Sequence, residues 1–345
     1  MRARQTASAD VYIAFPRSAM YGVGSSVLGG LAMDALINVV LPVFGIILTG
    51  YLAGRFEALG PDSAAALNRF VFYFALPTAL FVITARAPID KIFNWPFISA
   101  FIGGALLTLL IAVIVGRFWF HHRDVATLSM VGLTAGWGNV GYMGLPLLLT
   151  AYGPDGALPT IVSILSVIIF FVGSSIAVLE GTRASSASPL HVASHLVRML
   201  LRNPLVISPL LGILFSMTAF PLPKAVSNYL DLMAAAVAPA ALFAMGLSLV
   251  GHRLIGNVGE VIWLAVLKTV VNPVLTFVLV TYVFTMEPLW SQAAVILSAM
   301  PTAANAYVIA QQYNVYFKTV SPAVVISTGM SVLTIFLSLI WFGVR

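Results

Sequence analysis

Two asparagines stand inside otherwise apolar runs, each beside residues that break a helix. Asn139 lies in the string GWGNVGYMGLP, Gly136 to Pro146, and Asn305 lies in AMPTAANAY, Ala299 to Tyr307. An amide side chain carries donors and an acceptor, so it can bind a carboxylate or bridge unwound backbone. Gly138 and Gly141 let the chain leave helical geometry cheaply, while Pro146 and Pro301 each remove a helical donor. Thr302 adds a hydroxyl that can bind a ligand or satisfy a freed backbone group. Half-helix N-termini facing one cavity would add partial positive charge and favour an anion. The chemistry this pattern offers is recognition of a small anion, with no bond made or broken.

Lys268, in LKTVVNP ahead of Pro273, is the one formal charge well inside an apolar stretch. An unpaired cation in hydrocarbon is costly, so an intramembrane lysine marks function by default. Three roles fit: binding the carbonyls of a broken helix, holding an organic anion, or taking the place of a coupling cation. Structural support is expected first and ligand contact second. Trp137, inside the first break, can stack on a ligand, although an indole more often packs. The competing reading of both strings is ordinary membrane-helix packing, in which small residues permit close approach and asparagine acts as interhelical glue. The matched pair favours a binding site, because paired interruptions in corresponding halves are the sequence mark of a carrier's site.

The absences narrow the function further. Asp34, Glu180, Asp231, Glu260 and Glu287 all fall at or near the ends of apolar runs, which disfavours cation antiport, since exchangers keep carboxylates at membrane depth. His121, His122, His191, His195 and His252 fall in loops or run ends, and the sequence has no cysteine. No HExxH, nucleophile elbow or Walker A string is present. No enzyme, metal or cofactor is expected, and an ATP-driven pump would need a separate subunit.

The elements that position these residues are membrane helices. Of 345 residues, 60% are hydrophobic and 8% charged, with a mean hydropathy of +1.02, more apolar surface than a soluble core can hide. A span needs about 20 mostly apolar residues, which gives ten, at 34–54, 65–84, 95–118, 125–151, 157–180, 203–220, 226–250, 257–284, 289–313 and 321–343. Trp95, Trp119, Trp290 and Trp341 fall near span ends, where aromatic belts sit. The net charge of +6 is scattered among spans, so no nucleic-acid partner is implied. With both termini outside, the cytoplasmic loops hold Arg55, Arg117, Arg123, Arg183, Arg198, Arg202, Arg253 and Lys318, against Arg86, Lys91, Lys224 and Arg345 outside. The positive-inside rule favours that orientation, for a multi-pass protein of the cell (inner) membrane. Residues 1–32 are polar, carry Arg2, Arg4 and Arg17, and lack the apolar run of a signal peptide. They read as a disordered tail, or as untranslated with Met33 the start.

The chain also repeats itself. ALPTALFVI, from Ala75, matches VAPAALFAM, from Val237, and the pairs Pro42 and Pro204, Pro77 and Pro239, Pro159 and Pro322, and Asn139 and Asn305 recur in order at nearly constant spacing. The expected division is residues 1–32 as a tail, 33–180 as a first five-helix repeat, 181–202 as a cytoplasmic linker and 203–345 as a second repeat. An odd number of spans per repeat inverts the second relative to the first, so the fourth spans of each would cross as broken helices near the bilayer midplane. The fold class is all-α and polytopic.

The strings LPVFGIILTGYLAGR, GNVGYMGLP, PAALFAMGLSL and AMPTAANAYVIAQQYNV, in that order, resemble the auxin efflux carrier family, especially bacterial members known as malonate or other small organic-anion transporters. The similarity runs from Met33 to Arg345. It implies a ten-span inverted-repeat fold similar to that of bile-acid and sodium/proton transporters. Spans 1, 2, 6 and 7 would form a scaffold and the others a mobile domain working as an elevator, in a homodimer. It also implies that Asn139 contacts the substrate carboxylate, that Pro146 and Pro301 shape the crossover, and that Lys268 falls where plant members carry an arginine. Gly138 stands where plant members place a proline, and the long hydrophilic loop of many plant members is replaced by Gly181 to Arg202, so a short carboxylate such as malonate is a better substrate than auxin.

The sequence therefore predicts a secondary carrier of a small organic anion, driven by membrane potential or a proton gradient. A sodium-coupled symporter is the rival within transport, and a non-transporting receptor or scaffold the rival outside it.

Overall fold

The structure, a computed structural model, describes residues 33–60, 62–183, 189–218, 220–250 and 257–344. The expected tail, residues 1–32, lies outside these, as do His252, Arg253, Arg345 and residues 184–188 of the 181–202 linker. The helices of eight or more residues, in chain order, are α1 (Met33–Arg55), α2 (Ser63–Arg86), α3 (Trp95–Phe118), α4 (Val125–Gly136), α5 (Leu145–Tyr152), α6 (Ala157–Ser166), α7 (Gly173–Arg183), α8 (Pro189–Leu200), α9 (Pro204–Met217), α10 (Lys224–Ser248), α11 (Val258–Tyr282), α12 (Pro288–Ser298), α13 (Ala304–Tyr313) and α14 (Phe317–Phe342). No strand forms among the described residues, which hold one isolated β-bridge.

Seven helical stretches are long and apolar enough to cross a membrane: α1, α2, α3, the run Val140–Thr182, α10, α11 and α14. Ten were expected, and the difference has a physical cause. Apolar composition continues through a break in the backbone, whereas helix length does not. The expected fourth and ninth spans are each split in two, and α9 is only 14 residues long. The 43-residue run Val140–Thr182 joins the second half of the fourth span to the fifth through a tight turn at Gly153–Gly156, where Gly153 takes a positive φ of 61°. The linker is also not plain loop, because its second half forms α8.

Four prolines shape their own helices. A π turn precedes each of Pro42, Pro77, Pro146 and Pro273, at Leu36–Val40, Val71–Ala75, Val140–Gly144 and Leu267–Val271. Proline lacks the N–H and crowds the carbonyl four residues back, and a widened turn relieves that crowding. One of these turns follows Asn139 directly and another carries Lys268.

The helices pack in two groups. In the first, α1 lies along α10 and α2 along α9, at distances set by glycine. A Cβ on Gly50 would fall 2.2 Å from the carbonyl oxygen of Phe243, and one on Gly246 would fall 2.0 Å from that of Ile47. Backbone meets backbone there, the small-residue packing by which membrane helices associate. Arg86 of α2 adds an ion pair at 2.7 Å to Asp231 of α10, both about half exposed and so of small weight. In the second group α3 packs on α4 and α11, and α11 on α14. The connection from α13 to α14 holds Asn314 and Tyr316 in left-handed conformations. It is anchored by Tyr313, whose hydroxyl donates to Glu180 at 2.5 Å, and by Tyr316, whose hydroxyl donates to buried Glu260. Glu260 also lies 2.6 Å from His122 Nε2.

Candidate functional site

The two groups meet at the broken helices. α4 ends at Gly136 and the chain runs non-helically through Trp137, Gly138 and Asn139. α12 ends at Ser298, and helix resumes only at Ala304. The two breaks satisfy each other. Gly138 and Thr302 form an antiparallel bridge, in which the Asn139 N–H donates to Pro301 O at 2.8 Å and the Ala303 N–H to Trp137 O at 3.0 Å. Unwound backbone inside a membrane protein needs such partners, since no water is present to supply them.

The C-terminal ends of the half-helices are closed in two different ways. The Thr302 hydroxyl donates to Thr134 O in the last turn of α4 at 2.9 Å, and the Thr302 N–H donates to Ser327 Oγ of α14 at 3.1 Å. At the end of α12, Ser298 O accepts from Lys268 Nζ at 2.6 Å. Gly138 makes room for that lysine, because a Cβ there would lie 3.1 Å from Lys268 Cε and 3.2 Å from Nζ.

The N-terminal ends face a cavity. Asn139 caps the π turn after the first break, its Oδ1 accepting from the Tyr142 N–H at 3.3 Å, while Nδ2 donates to Met245 Sδ at 3.4 Å. A thioether is a weak acceptor, so this donor is held loosely. α13 begins without a side-chain cap, and its first residues line the same cavity of about 210 Å³, together with Asn68, Asn139, Tyr142, Met245, Ser248 and Asn305. A wider cleft of about 780 Å³, lined by Trp119, His121 and Trp263 among others, lies at helix ends and contains none of the expected site residues.

Of the five residues expected to bind ligand, Asn139 and Asn305 share the cavity, while Thr302, Lys268 and Trp137 do not line it. Those three build the crossing: Thr302 and Lys268 through the bonds above, Trp137 by its carbonyl and by burial in the core. Pro301 contributes its carbonyl and Pro146 sits at the start of α5. Gly141 lies in the π turn, and a Cβ there would meet only ordinary contacts. The bridge places Gly138 opposite Thr302, so Asn139 follows its bridged residue by one position and Asn305 by three. Sequence reasoning missed Asn68, Tyr142, Met245 and Ser248. Tyr142 and Met245 lay within strings singled out for other reasons, and Asn68 had no local signal.

Comparison with known proteins follows the same outline. Residues 35–339 match the family described as "Membrane transport protein". A protein of Rhizobium meliloti (strain 1021) described as "Putative malonate transporter" is 31% identical over 308 residues, covering 88% of this chain and 94% of that protein. "Uncharacterized transporter YfdV" of Escherichia coli (strain K12) is 29% identical over 84% of this chain and 92% of its own. "Auxin efflux carrier component 8" of Arabidopsis thaliana is 22% identical, with 84% and 92% covered.

Proposed function

The chain belongs to the membrane transport protein family that includes the auxin efflux carriers, and from that premise we propose that it is a secondary carrier of a small organic anion such as malonate. It is a multi-pass membrane transporter and not an enzyme. The observation that carries the substrate class is the 210 Å³ cavity into which the N-terminal side of both breaks and both asparagines converge. It is smaller than the roughly 300–1,000 Å³ of pockets that take drug-sized ligands. Among the described residues no lysine or arginine lines it, so an anion would be held by amide donors and by the positive ends of helices. Neutral donors suit a carrier, which must release what it binds.

Ten crossings are counted by treating α4 with α5, and α12 with α13, as broken spans. The pairing of α1 with α10 and α2 with α9 supports two inverted five-helix repeats. The cavity draws Asn68, Met245 and Ser248 from the first helix group and Asn139, Tyr142 and Asn305 from the second, which is where an elevator shift would expose and close a site. A homodimer through the first group and an inner-membrane location with both termini outside complete the proposal.

The experiment is uptake into proteoliposomes of radiolabelled malonate, malate and indole acetate, each with and without imposed pH and sodium gradients. Saturable flux of a short carboxylate supports the reading, and the gradient that accelerates it names the coupling. Flux of indole acetate alone contradicts the small-anion assignment.

A further inference from the structure

Lys268 is 1% exposed, and among the described residues no carboxylate pairs with it, the ion pairs there being Arg86–Asp231 and His122–Glu260. Its bond goes to Ser298 O, in the last residue of α12, where the carbonyl end of a half-helix concentrates partial negative charge. Unwound backbone carbonyls and half-helix C-terminal ends are what carriers with broken helices use to hold a monovalent cation.

The opposite half-helix shows what is different here. α4 ends in the same way, but there the Thr302 hydroxyl, a neutral group, meets the carbonyl of Thr134. Of these two half-helices it is α12 that is closed by a lysine, and Gly138 leaves the space that side chain needs. We propose that the ammonium of Lys268 is a tethered cation occupying an alkali-cation position at the end of α12, so that the anion site is assembled with no dissolved coupling cation. This rests on the carrier reading above and extends it to the energetics: the carrier runs without sodium, and removing the tether creates a vacancy that a free monovalent cation can fill.

The test uses the full-length protein and the Lys268→Ala variant in sodium-free medium with N-methylglucamine as the counter-cation. Wild-type malonate flux is expected to be the same with and without sodium. K268A is expected to lose about 10- to 100-fold in flux, the range set by a hydrogen bond to a charged group, and to regain it with millimolar methylammonium but not with the bulkier tetramethylammonium. A second readout needs no transport: methylammonium raises the melting temperature of purified K268A and leaves wild type unchanged. Sodium-dependent wild-type flux, wild-type flux in untreated K268A, or folded K268A indifferent to methylammonium in both readouts overturns the inference. Should K268A fold only when purified with methylammonium, the inference is supported; failure to fold under both conditions overturns it. If wild type moves no anion, the carrier reading fails while the thermal readout still decides the role of Lys268.

Discussion

Replacing two glycines of α1 by alanine is expected to shift stability in opposite directions. Gly50 faces α10 so closely that an alanine Cβ would lie 2.2 Å from Phe243 O, 3.0 Å from its carbonyl carbon and 3.1 Å from its Cα. Those atoms are backbone, so relief requires α1 and α10 to part by roughly 1 Å, and overpacking of this kind costs about 1–3 kcal/mol. Gly45, on the same helix, has no atom within 4 Å of its virtual Cβ. Alanine there removes only the conformational penalty of a helical glycine and adds about 0.5–1 kcal/mol of stability. The assay is thermal unfolding in detergent followed by intrinsic fluorescence of the six tryptophans; thiol dyes have nothing to label, since the chain has no cysteine. Gly50→Ala should melt below wild type and Gly45→Ala at or above it. Equal shifts of the same sign would refute the backbone contact between α1 and α10.

Other outcomes follow from the crossing and its caps. Asn139→Asp keeps an acceptor for the Tyr142 N–H but replaces the Nδ2 donor with a negative charge, so the protein should fold while anion flux falls by about 10- to 100-fold, read by uptake beside a melting curve. Thr302→Val keeps the shape of a fully buried side chain but strips the hydroxyl from Thr134 O, costing about 1–3 kcal/mol in the unfolding midpoint. Asp124 caps α4, and bonds from the hydroxyl and N–H of Thr127 hold its carboxyl below the ordinary value. Its contribution is therefore complete above about pH 5, where the unfolded carboxyl is also almost fully ionised, and is lost as pH falls through the lower folded value. Because Asp124 is exposed, that contribution is about 0.5 kcal/mol; Asp124→Asn, whose amide oxygen still caps, should reduce the acid dependence of the melting temperature by that share, the Arg86–Asp231 pair contributing separately.

The breaks were legible in the sequence because they are local: glycine and proline inside an apolar run state their own effect on the backbone. So were Asn139, Asn305 and Lys268, since polar groups stand out among leucine and valine. Their roles were less legible. Lys268 meets a backbone oxygen, and every residue has one, so Ser298 carried no signal. Thr302 was expected to face ligand, yet its hydroxyl is taken by Thr134, a partner fixed by the register of the Gly138–Thr302 bridge and not by spacing along the chain. Met245 reads as one more apolar position of α10 until folding sets its sulfur against Asn139. Span length failed for a related reason: hydropathy passes smoothly over Trp137 to Asn139, where the helix does not.

The central claim is that the cavity between the breaks is where an anion is carried. Initial rates of radiolabelled malonate uptake into proteoliposomes, compared for wild type, Asn139→Ala and Asn305→Ala at matched insertion and melting temperature, test it most directly. The account predicts saturable wild-type uptake that both substitutions abolish or greatly slow. Uptake indifferent to both asparagines would contradict it.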